Sequence, residues 1–425
     1  MSHSRKPISK TGLRIFYLFL PLCLLSISAC SRQTDWLHYR GEKGHGYTPT
    51  SILPPLGRRW KLLLQKKPTP AKYFNPPIVK GDTLYFGSGD NNFYAFDINS
   101  GYQLWSFKTK APVNSIPSID EERVYFGSND GNVYALDRKN GEKIWSFNTG
   151  KTVQSLVLRY EDQIIFTSDL GRMYFLDLDG KLLHSVPNPY WMHHTFQIYD
   201  NILYWAPKGI NFAAYDIKNR KYTKWIEKIP EADLWYSIPA VDETNVYFGI
   251  SILRRGENIP QLSFRARTRD GGEAVWEQND VFRFGDKMKL TRHILFRRHM
   301  DLLDYLAPAL WKDLIVFSAG DTTVRAFHRD TGEPAWEKTF AYPTSSAPTI
   351  AGDRIYLGLF GEEDAQGRPI SGGQKPRLVS LSAATGELLW ELELEGTILS
   401  APVISGKRLM FGTNDYHFHV LEEIF

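Results

Sequence analysis

Cysteine is scarce in this chain of 425 residues, which contains only Cys23 and Cys30. The sequence also has no G-x-S-x-G motif and no H-E-x-x-H motif, and neither cysteine lies in a nucleophile signature. No residue pattern therefore indicates a catalytic site, and we expect a protein that is not an enzyme.

Long hydrophobic runs are also missing, apart from one near the N-terminus. The apolar stretch IFYLFLPLCLLSI follows the basic stretch RKPISKTGLR and is followed by small residues and Cys30. About 13 apolar residues are too few to predict a membrane span, but the order fits a secretory signal peptide over residues 1–29. The ending L-S-I-S-A-C resembles a bacterial lipobox, with Ile27 where Leu is more usual. We therefore expect Cys30 to be the lipidated first residue of the mature protein.

The mature chain lacks an excess of either charge. Four of the 51 Lys and Arg residues precede Cys30, whereas none of the 47 Asp and Glu residues does. The net charge of +4 thus belongs to the signal peptide, and a neutral mature protein gives no support for a nucleic-acid partner. Removal of Cys23 with the signal peptide also leaves no pair of cysteines for a disulfide.

What the sequence does contain is a repeat. The phrase LYFGSGDNNFYAFDINSGYQLW at 84–105 returns as VYFGSNDGNVYALDRKNGEKIW at 124–145. Each copy consists of four short apolar runs separated by turn residues, which is typical of strands in tight hairpins. Four antiparallel strands in about 40 residues describe one blade of a β-propeller. One apolar slot recurs eight times and predicts eight blades: Phe86, Phe126, Phe166, Trp205, Phe248, Phe317, Leu357 and Phe411.

The second half of each repeat resembles a known family. YAFDINSGYQLW, YALDRKNGEKIW, RAFHRDTGEPAW and VSLSAATGELLW are similar to the A-x-D-x-x-T-G-x-x-x-W repeat of pyrroloquinoline-quinone-type β-propellers. The Gly of this motif suits a turn with positive φ, and the Trp offers a large surface to bury between blades. His184 takes the Trp position in the third blade, and the other copies supply Trp60, Trp105, Trp145, Trp225, Trp276, Trp336 and Trp390.

The last repeat ends after three strands and lacks its own fourth strand. RRWKLLLQ at 58–65 carries the missing strand pattern and Trp60, so we expect it to complete the eighth blade and close the ring. This divides the chain into a signal peptide (1–29), a lipidated tether with a lead-in segment (30–57) and an eight-bladed propeller (58–425). A proline recurs in the predicted innermost strands, where a missing ladder hydrogen bond is tolerated.

Four departures from the 40-residue period interrupt the repeats, at 187–196, 250–264, 278–306 and 359–378. Each links either the second and third strands of a blade or two successive blades. Both kinds of connection emerge on the same side of a propeller, which we call the insertion face. Because insertions customise a repeated scaffold, this face is the predicted site of protein binding.

The segment 278–306 has the most distinctive composition, with Arg292, Arg297 and Arg298 among six basic residues within 281–300 and Asp286 as the only acid there. Its apolar residues suggest a short amphipathic helix. The segment is either a solvated lid over the rim or a basic docking surface for an acidic partner or lipid headgroups. Trp191 in the first insertion is likewise either a partner contact or a residue buried between blades.

Metal and cofactor sites have little support in the sequence. Two close histidine pairs, His193 with His194 and His417 with His419, bring no third ligand with them. Resemblance to quinone-dependent dehydrogenases implies a quinone, a calcium site and adjacent cysteines, and adjacent cysteines are absent. We expect no cofactor and no metal.

In layout the chain resembles the β-propeller lipoprotein of the machinery that inserts β-barrel proteins into the bacterial outer membrane. The resemblance implies a monomeric, periplasm-facing scaffold anchored to the envelope, with the outer membrane favoured. Two alternatives stay open at this point: a propeller that binds a small ligand or the cell wall, and a quinone-dependent enzyme.

Overall fold

The computed structural model describes residues 1, 35–41, 43–64, 75–169, 171–187, 196–205, 213–222, 232–254, 257, 259–284, 306–363 and 370–424. Cys30, Trp191, Trp225, Arg292, Arg297 and Arg298, the pair His193 and His194, and the predicted amphipathic helix all lie outside these residues. No helix in the described part of the chain is long and apolar enough to cross a membrane.

Eight antiparallel sheets form a closed β-propeller, as the repeat predicts. In the first four blades the strands run outward from the axis in chain order. Their bounds are β3 (Ile78–Lys80), β4 (Thr83–Gly87), β5 (Asn92–Asp97), β6 (Gln103–Lys108); β7 (Ser118–Ile119), β8 (Arg123–Gly127), β9 (Asn132–Asp137), β10 (Lys143–Asn148); β11 (Leu158–Tyr160), β12 (Gln163–Ser168), β13 (Arg172–Asp177), β14 (Leu182–Pro187); and β15 (Gln197–Tyr199), β16 (Ile202–Trp205), β17 (Ala213–Asp216), β18 (Lys221–Tyr222).

The remaining blades follow the same plan, with an extra strand, β19, in the fifth. Their bounds are β19 (Ala232–Tyr236), β20 (Ala240–Val241), β21 (Asn245–Arg254), β22 (Gln261–Thr268), β23 (Ala274–Val281); β24 (Ala309–Trp311), β25 (Leu314–Ser318), β26 (Thr323–His328), β27 (Pro334–Thr339); β28 (Thr349–Ala351), β29 (Arg354–Leu359), β30 (Arg377–Ser382), β31 (Leu388–Glu393); and β32 (Val403–Ser405), β33 (Arg408–Gly412), β34 (His417–Glu423). The N-terminal strands are β1 (Tyr47–Thr48) and β2 (Leu56–Leu63).

Ring closure by an N-terminal strand is confirmed, two residues earlier than predicted. β2 pairs antiparallel with β34 as the outermost strand of the eighth blade, and Trp60 is opposite Val420. Phe86 of the first blade stacks on Phe418 of the eighth, with ring centroids 4.9 Å apart. Phe126 stacks on Phe93 at 4.1 Å across the ordinary junction between the first two blades. Closure therefore uses the same kind of contact as a junction within the chain.

In the described part of the chain, the repeat Trp joins its blade to the next at five junctions. A bulge in the outermost strand precedes Trp105 and Trp145, and such a bulge re-aims the side chain that follows it. The Trp105 Nε1–H donates to Arg138 O at 3.1 Å, and its ring lies over Gly141 of the following blade. A Cβ on Gly141 would come within 2.6 Å of that ring. This position therefore requires glycine for two reasons: the Trp leaves no room for a side chain, and the backbone has a φ of +75°.

The same contact recurs around the ring. Trp60, Trp145, Trp276 and Trp336 donate to Ile98 O, Leu178 O, Arg329 O and Ala383 O of the following blade. The third blade departs from this pattern, because His184 stacks on Phe175 of its own blade at 4.2 Å. In the seventh blade Trp390 packs on a cluster that includes Leu56 of the eighth. The motif Asp caps its own turn, since Asp97 Oδ1 accepts from both the backbone N–H and the hydroxyl of Ser100.

The lead-in segment lies inside the ring. Residues 35–55, which we call the axial segment, run antiparallel to β3 at Trp36 and return parallel to β28 as β1. β1 is on the axis side of β28, so it occupies the centre of the propeller. His45 Nε2 lies 2.7 Å from Val241 O, and Ile350 N–H donates to Gly46 O at 2.7 Å, which ties the segment to the fifth and seventh blades.

Arg40 holds the axial segment in place. Its guanidinium donates to Pro348 O at 2.7 Å, Pro308 O at 2.8 Å and Ala307 O at 3.1 Å, at the start of the innermost strands of two blades. Arg40 is only 1% exposed, and burial lowers its pKa to about 10, with the nearby Tyr39 acting in the opposite direction. It therefore stays charged at neutral pH, with backbone carbonyls as its hydrogen-bond acceptors.

Candidate partner-binding face

The two faces of the propeller differ in their connections. Turns such as 81–82 and 98–102 join the first to the second and the third to the fourth strands, and they define a short-turn face. The connections between second and third strands, and those between blades, emerge on the opposite side. Described parts of all four departures belong to this insertion face, which agrees with the prediction from strand order.

The departure at 250–264 is more regular than the sequence suggests. β21 continues to Arg254 and β22 begins at Gln261, so most of this segment is a long hairpin. β19 pairs with the distal half of β21, from Ile250 to Arg254. Ile250, Ile252 and Leu262 are buried, and the strands of the fifth blade are longer than those of its neighbours, so this blade extends beyond them as a packed sheet.

The first residues of the departure at 278–306 are folded against that hairpin. Residues 278–281 complete β23 rather than beginning a loop. Phe282 is buried, its N–H donates to Pro260 O at 3.2 Å, and its ring meets Phe284 edge-on at 4.6 Å. Thr322 N–H then donates to Arg283 O at 3.1 Å. The basic insertion thus starts from a fixed position between the fifth and sixth blades.

An ionic network lies beneath this position, with Arg325 and Asp321 buried and Asp280 and Arg283 partly exposed. Arg325 Nε donates to Asp280 at 2.8 Å, and its two terminal nitrogens donate to the carboxylate of Asp321 at 2.8 and 3.0 Å. Burial alone would lower the pKa of Arg325, but the hydrogen bonds and charges of Asp321 and Asp280 outweigh it and raise the pKa. Arg283 adds a contact of 3.1 Å to Asp280. Because both blades supply charges, the network fixes their junction.

A groove of about 290 Å³ lies beside this network between the same two blades. Its aromatic lining comes from Phe264, Phe327 and Trp336, and Asp280 and Glu337 add acidic groups. The groove is large enough for a bulky side chain of another molecule.

The departure at 359–378 is anchored toward the eighth blade. Glu362 N–H donates to Gln374 O at 2.6 Å, and Ile370 N–H donates to Glu362 O at 2.9 Å, which brings the two ends of the insertion together. Glu363 is buried and accepts from the Thr397 hydroxyl at 2.8 Å. A buried carboxylate with a fixed donor holds this insertion against the connection between the seventh and eighth blades.

The histidine pair at the end of the eighth blade has structural partners. His417 Nδ1 lies 2.8 Å from Asp415, and His419 stacks on Phe411 at 4.9 Å with its Nε2 3.2 Å from the Thr413 hydroxyl. Burial, with the positive charge of Lys61, lowers the pKa of His419 to about 3. Among the described residues, no three His, Cys, Asp or Glu side chains are grouped as a metal ion would require.

Sequence analysis located the insertion face but missed the groups that build it. Asp280, Arg325 and Asp321 carry no motif, and only the fold brings them together. Arg40 had a weak signal in W-x-x-Y-R-G of the lead-in segment. The predicted partner contacts Arg292, Arg297, Arg298 and Trp191 stay predictions, because they lie outside the described residues.

Solved structures share the fold at low sequence identity. BamB from Moraxella catarrhalis is 14% identical, with a TM-score of 0.63 over 86% of this chain and 99% of that one. The computationally designed Ika8 protein is 13% identical, with a TM-score of 0.64 over 86% of this chain and 100% of that one. Quinohemoprotein alcohol dehydrogenase from Comamonas testosteroni is 13% identical, with a TM-score of 0.64 over 92% of this chain and 80% of that one. These likenesses show the propeller fold.

A comparison with curated protein sequences finds no match. The family model described as "Outer membrane protein assembly factor BamB" matches residues 57–188, 129–280, 262–364 and 361–423, which together span the propeller. The chain belongs to the family of outer membrane protein assembly factor BamB.

Proposed function

We propose that this protein is a non-catalytic scaffold of the bacterial envelope, lipid-anchored through Cys30, that binds a protein partner on its insertion face. Membership of the BamB family supports a place in the assembly of outer-membrane proteins. The outer membrane is the favoured location, with the propeller in the periplasm. The partner is then a component or a client of that assembly.

The observation that carries this proposal is that packing and hydrogen bonds support the bases of the insertions. The long hairpin of the fifth blade, the Arg325 network and the Glu363 contact hold the bases of three insertions in fixed positions. Loops that serve only as connections do not need such support, whereas a binding surface gains affinity when its parts are already ordered. Basic residues of the segment 281–300 then supply charge for recognition of an acidic surface.

Affinity purification from crosslinked envelopes tests the proposal. The expected result is co-purification of proteins of the outer-membrane β-barrel assembly. Recovery of cell-wall fragments without such proteins would favour the cell-wall binding alternative. Mass spectrometry of the mature N-terminus tests the anchor separately, and an unacylated Cys30 would contradict it.

A further inference from the structure

We infer that the axial segment orients the propeller on the membrane, with the short-turn face against the lipid headgroups and the insertion face directed away from them. This inference rests on the Cys30 anchor of the proposed function. It extends the proposed function by stating which surface contacts lipid and which surface stays free to bind a protein partner.

The path of the axial segment carries the inference. Asp35 Oδ1 accepts from Gly81 N–H at 2.9 Å, in the turn between β3 and β4, so the segment enters from the short-turn face. It then reaches the opposite end of the innermost strands, where Arg40 binds Ala307 O and Pro308 O. It returns along β28 and leaves at the short-turn face, where Ile424 N–H donates to Pro55 O at 3.1 Å. Both ends of the axial segment are therefore on the same face.

The chain between Cys30 and Asp35 is too short for Cys30 to reach the insertion face. Cys30 precedes Asp35 by five positions, and five residue steps span at most about 17 Å when the chain is fully extended. To reach the insertion face around the outside, the chain would first have to cross the four strands of a blade, a distance of about 14 Å. It would then have to run along the six-residue outermost strand for about 20 Å more. The path through the centre is filled by the axial segment itself. An acyl chain on Cys30 can thus enter a membrane only on the short-turn side.

The rim of the short-turn face has side chains suited to a lipid surface. Leu104, Ile144 and Leu183 precede the Trp position in three successive blades, close to the short turns, and are 54%, 45% and 42% exposed. Val275 and Leu389 repeat this arrangement in the fifth and seventh blades at 38% and 39%. Apolar side chains at one level around a rim match the boundary between headgroups and water.

Fluorescence quenching on the acylated mature protein tests the orientation. Lys139 and Lys151 are exposed residues just beyond opposite ends of β10, so Lys139→Cys and Lys151→Cys place one label on each face of the same blade. Cys23 leaves with the signal peptide and Cys30 is blocked by acylation, so the introduced thiol is the only one that reacts. Asp330→Cys and Ala341→Cys repeat the comparison in the sixth blade, on the other side of the ring.

The labelled proteins are reconstituted in vesicles of phosphatidylethanolamine and phosphatidylcholine that contain a headgroup-nitroxide lipid. We expect quenching at 139 and 330 to exceed that at 151 and 341 by roughly two- to threefold, since the labels are ~20 Å apart along the strand. Equal quenching, or stronger quenching at 151 and 341, would overturn the orientation. If Cys30 carries no acyl group and the protein does not bind vesicles, the anchor fails and the orientation with it.

Lengthening the tether tests whether its short reach is what orients the propeller. Insertion of about twenty Gly and Ser residues between Arg32 and Gln33 would let the anchor reach past the rim. The difference between the two faces should then decrease toward equality. A difference that persists unchanged would refute the short reach as the orienting device.

Discussion

The Trp60 ring lies on Gly101, at 3.0 to 3.2 Å from the position that a Cβ on that glycine would occupy. These two residues belong to the eighth and first blades, and the Trp60 Nε1–H also donates to Ile98 O at 2.9 Å. The two ends of the propeller are therefore joined by the contact that links Trp105 to Gly141 within the chain.

Alanine substitutions at Gly141 and Gly150 distinguish the cost of backbone strain from the cost of disturbing the contact with Trp105. Gly141→Ala adds a Cβ at a φ of +75° and pushes it into the Trp105 ring, whereas Gly150→Ala has a similar φ of +77° and meets nothing within 4 Å. We expect Gly150→Ala to lower the free energy of unfolding by about 1 kcal/mol and Gly141→Ala by about 2–4 kcal/mol. Urea denaturation measures both variants. Equal losses would show that the contact with Trp105 does not matter.

Replacement of Trp60 tests whether ring closure is as strong as an ordinary junction. Trp60→Phe and Trp105→Phe each remove one indole N–H donor, at the closing junction and at an ordinary one. We expect similar losses of about 1 kcal/mol, measured by thermal or urea denaturation. A loss for Trp105→Phe but none for Trp60→Phe would mean that the closing junction contributes less than an ordinary one. Deletion of β2 would go further and expose the edge of β34, with aggregation as the expected result.

Arg40 is predicted to contribute strongly to stability. Arg40→Met removes the donor that serves Ala307 O, Pro308 O and Pro348 O, so we expect unfolding to become easier by about 2–5 kcal/mol. Arg59→Met is the control, because Arg59 lies at the surface in an ion pair with Glu422 and should cost less than about 1 kcal/mol. Comparable melting temperatures for the two variants would contradict the role of Arg40.

His419 predicts a loss of stability in mild acid. Burial keeps His419 neutral in the folded protein, with its pKa lowered to about 3, whereas the unfolded chain takes up a proton near pH 6.5. The stability from this site is present above pH 6.5 and is lost as the pH falls from there toward 3. Between pH 7 and pH 5 the expected loss is about 2 kcal/mol. His419→Gln should reduce the dependence of urea denaturation on pH by that amount, and an unchanged dependence would be evidence against a neutral buried His419.

The parts of the fold that follow from repeated local patterns could be predicted from the sequence. The Phe86 slot recurs in every blade, and the Trp60 match revealed ring closure, because each pattern lies within a few residues. Arg40 could not be assigned in this way, since its acceptors lie more than 260 residues away. The glycine that each repeat Trp contacts was also hidden, because the motif places a Gly four residues before the Trp, whereas the fold packs that Trp on the Gly of the following blade.

The most direct test of the proposed function compares charge reversal on the two faces. Arg292, Arg297 and Arg298 changed to Glu should weaken capture of the crosslinked assembly partner and make the remaining binding less sensitive to salt, without a large change in melting temperature. Lys139, Lys181 and Lys218 changed to Glu make the same change in charge on the short-turn face and should leave capture of the partner unchanged. Capture that survives the first triple change and is lost in the second would contradict a partner-binding insertion face.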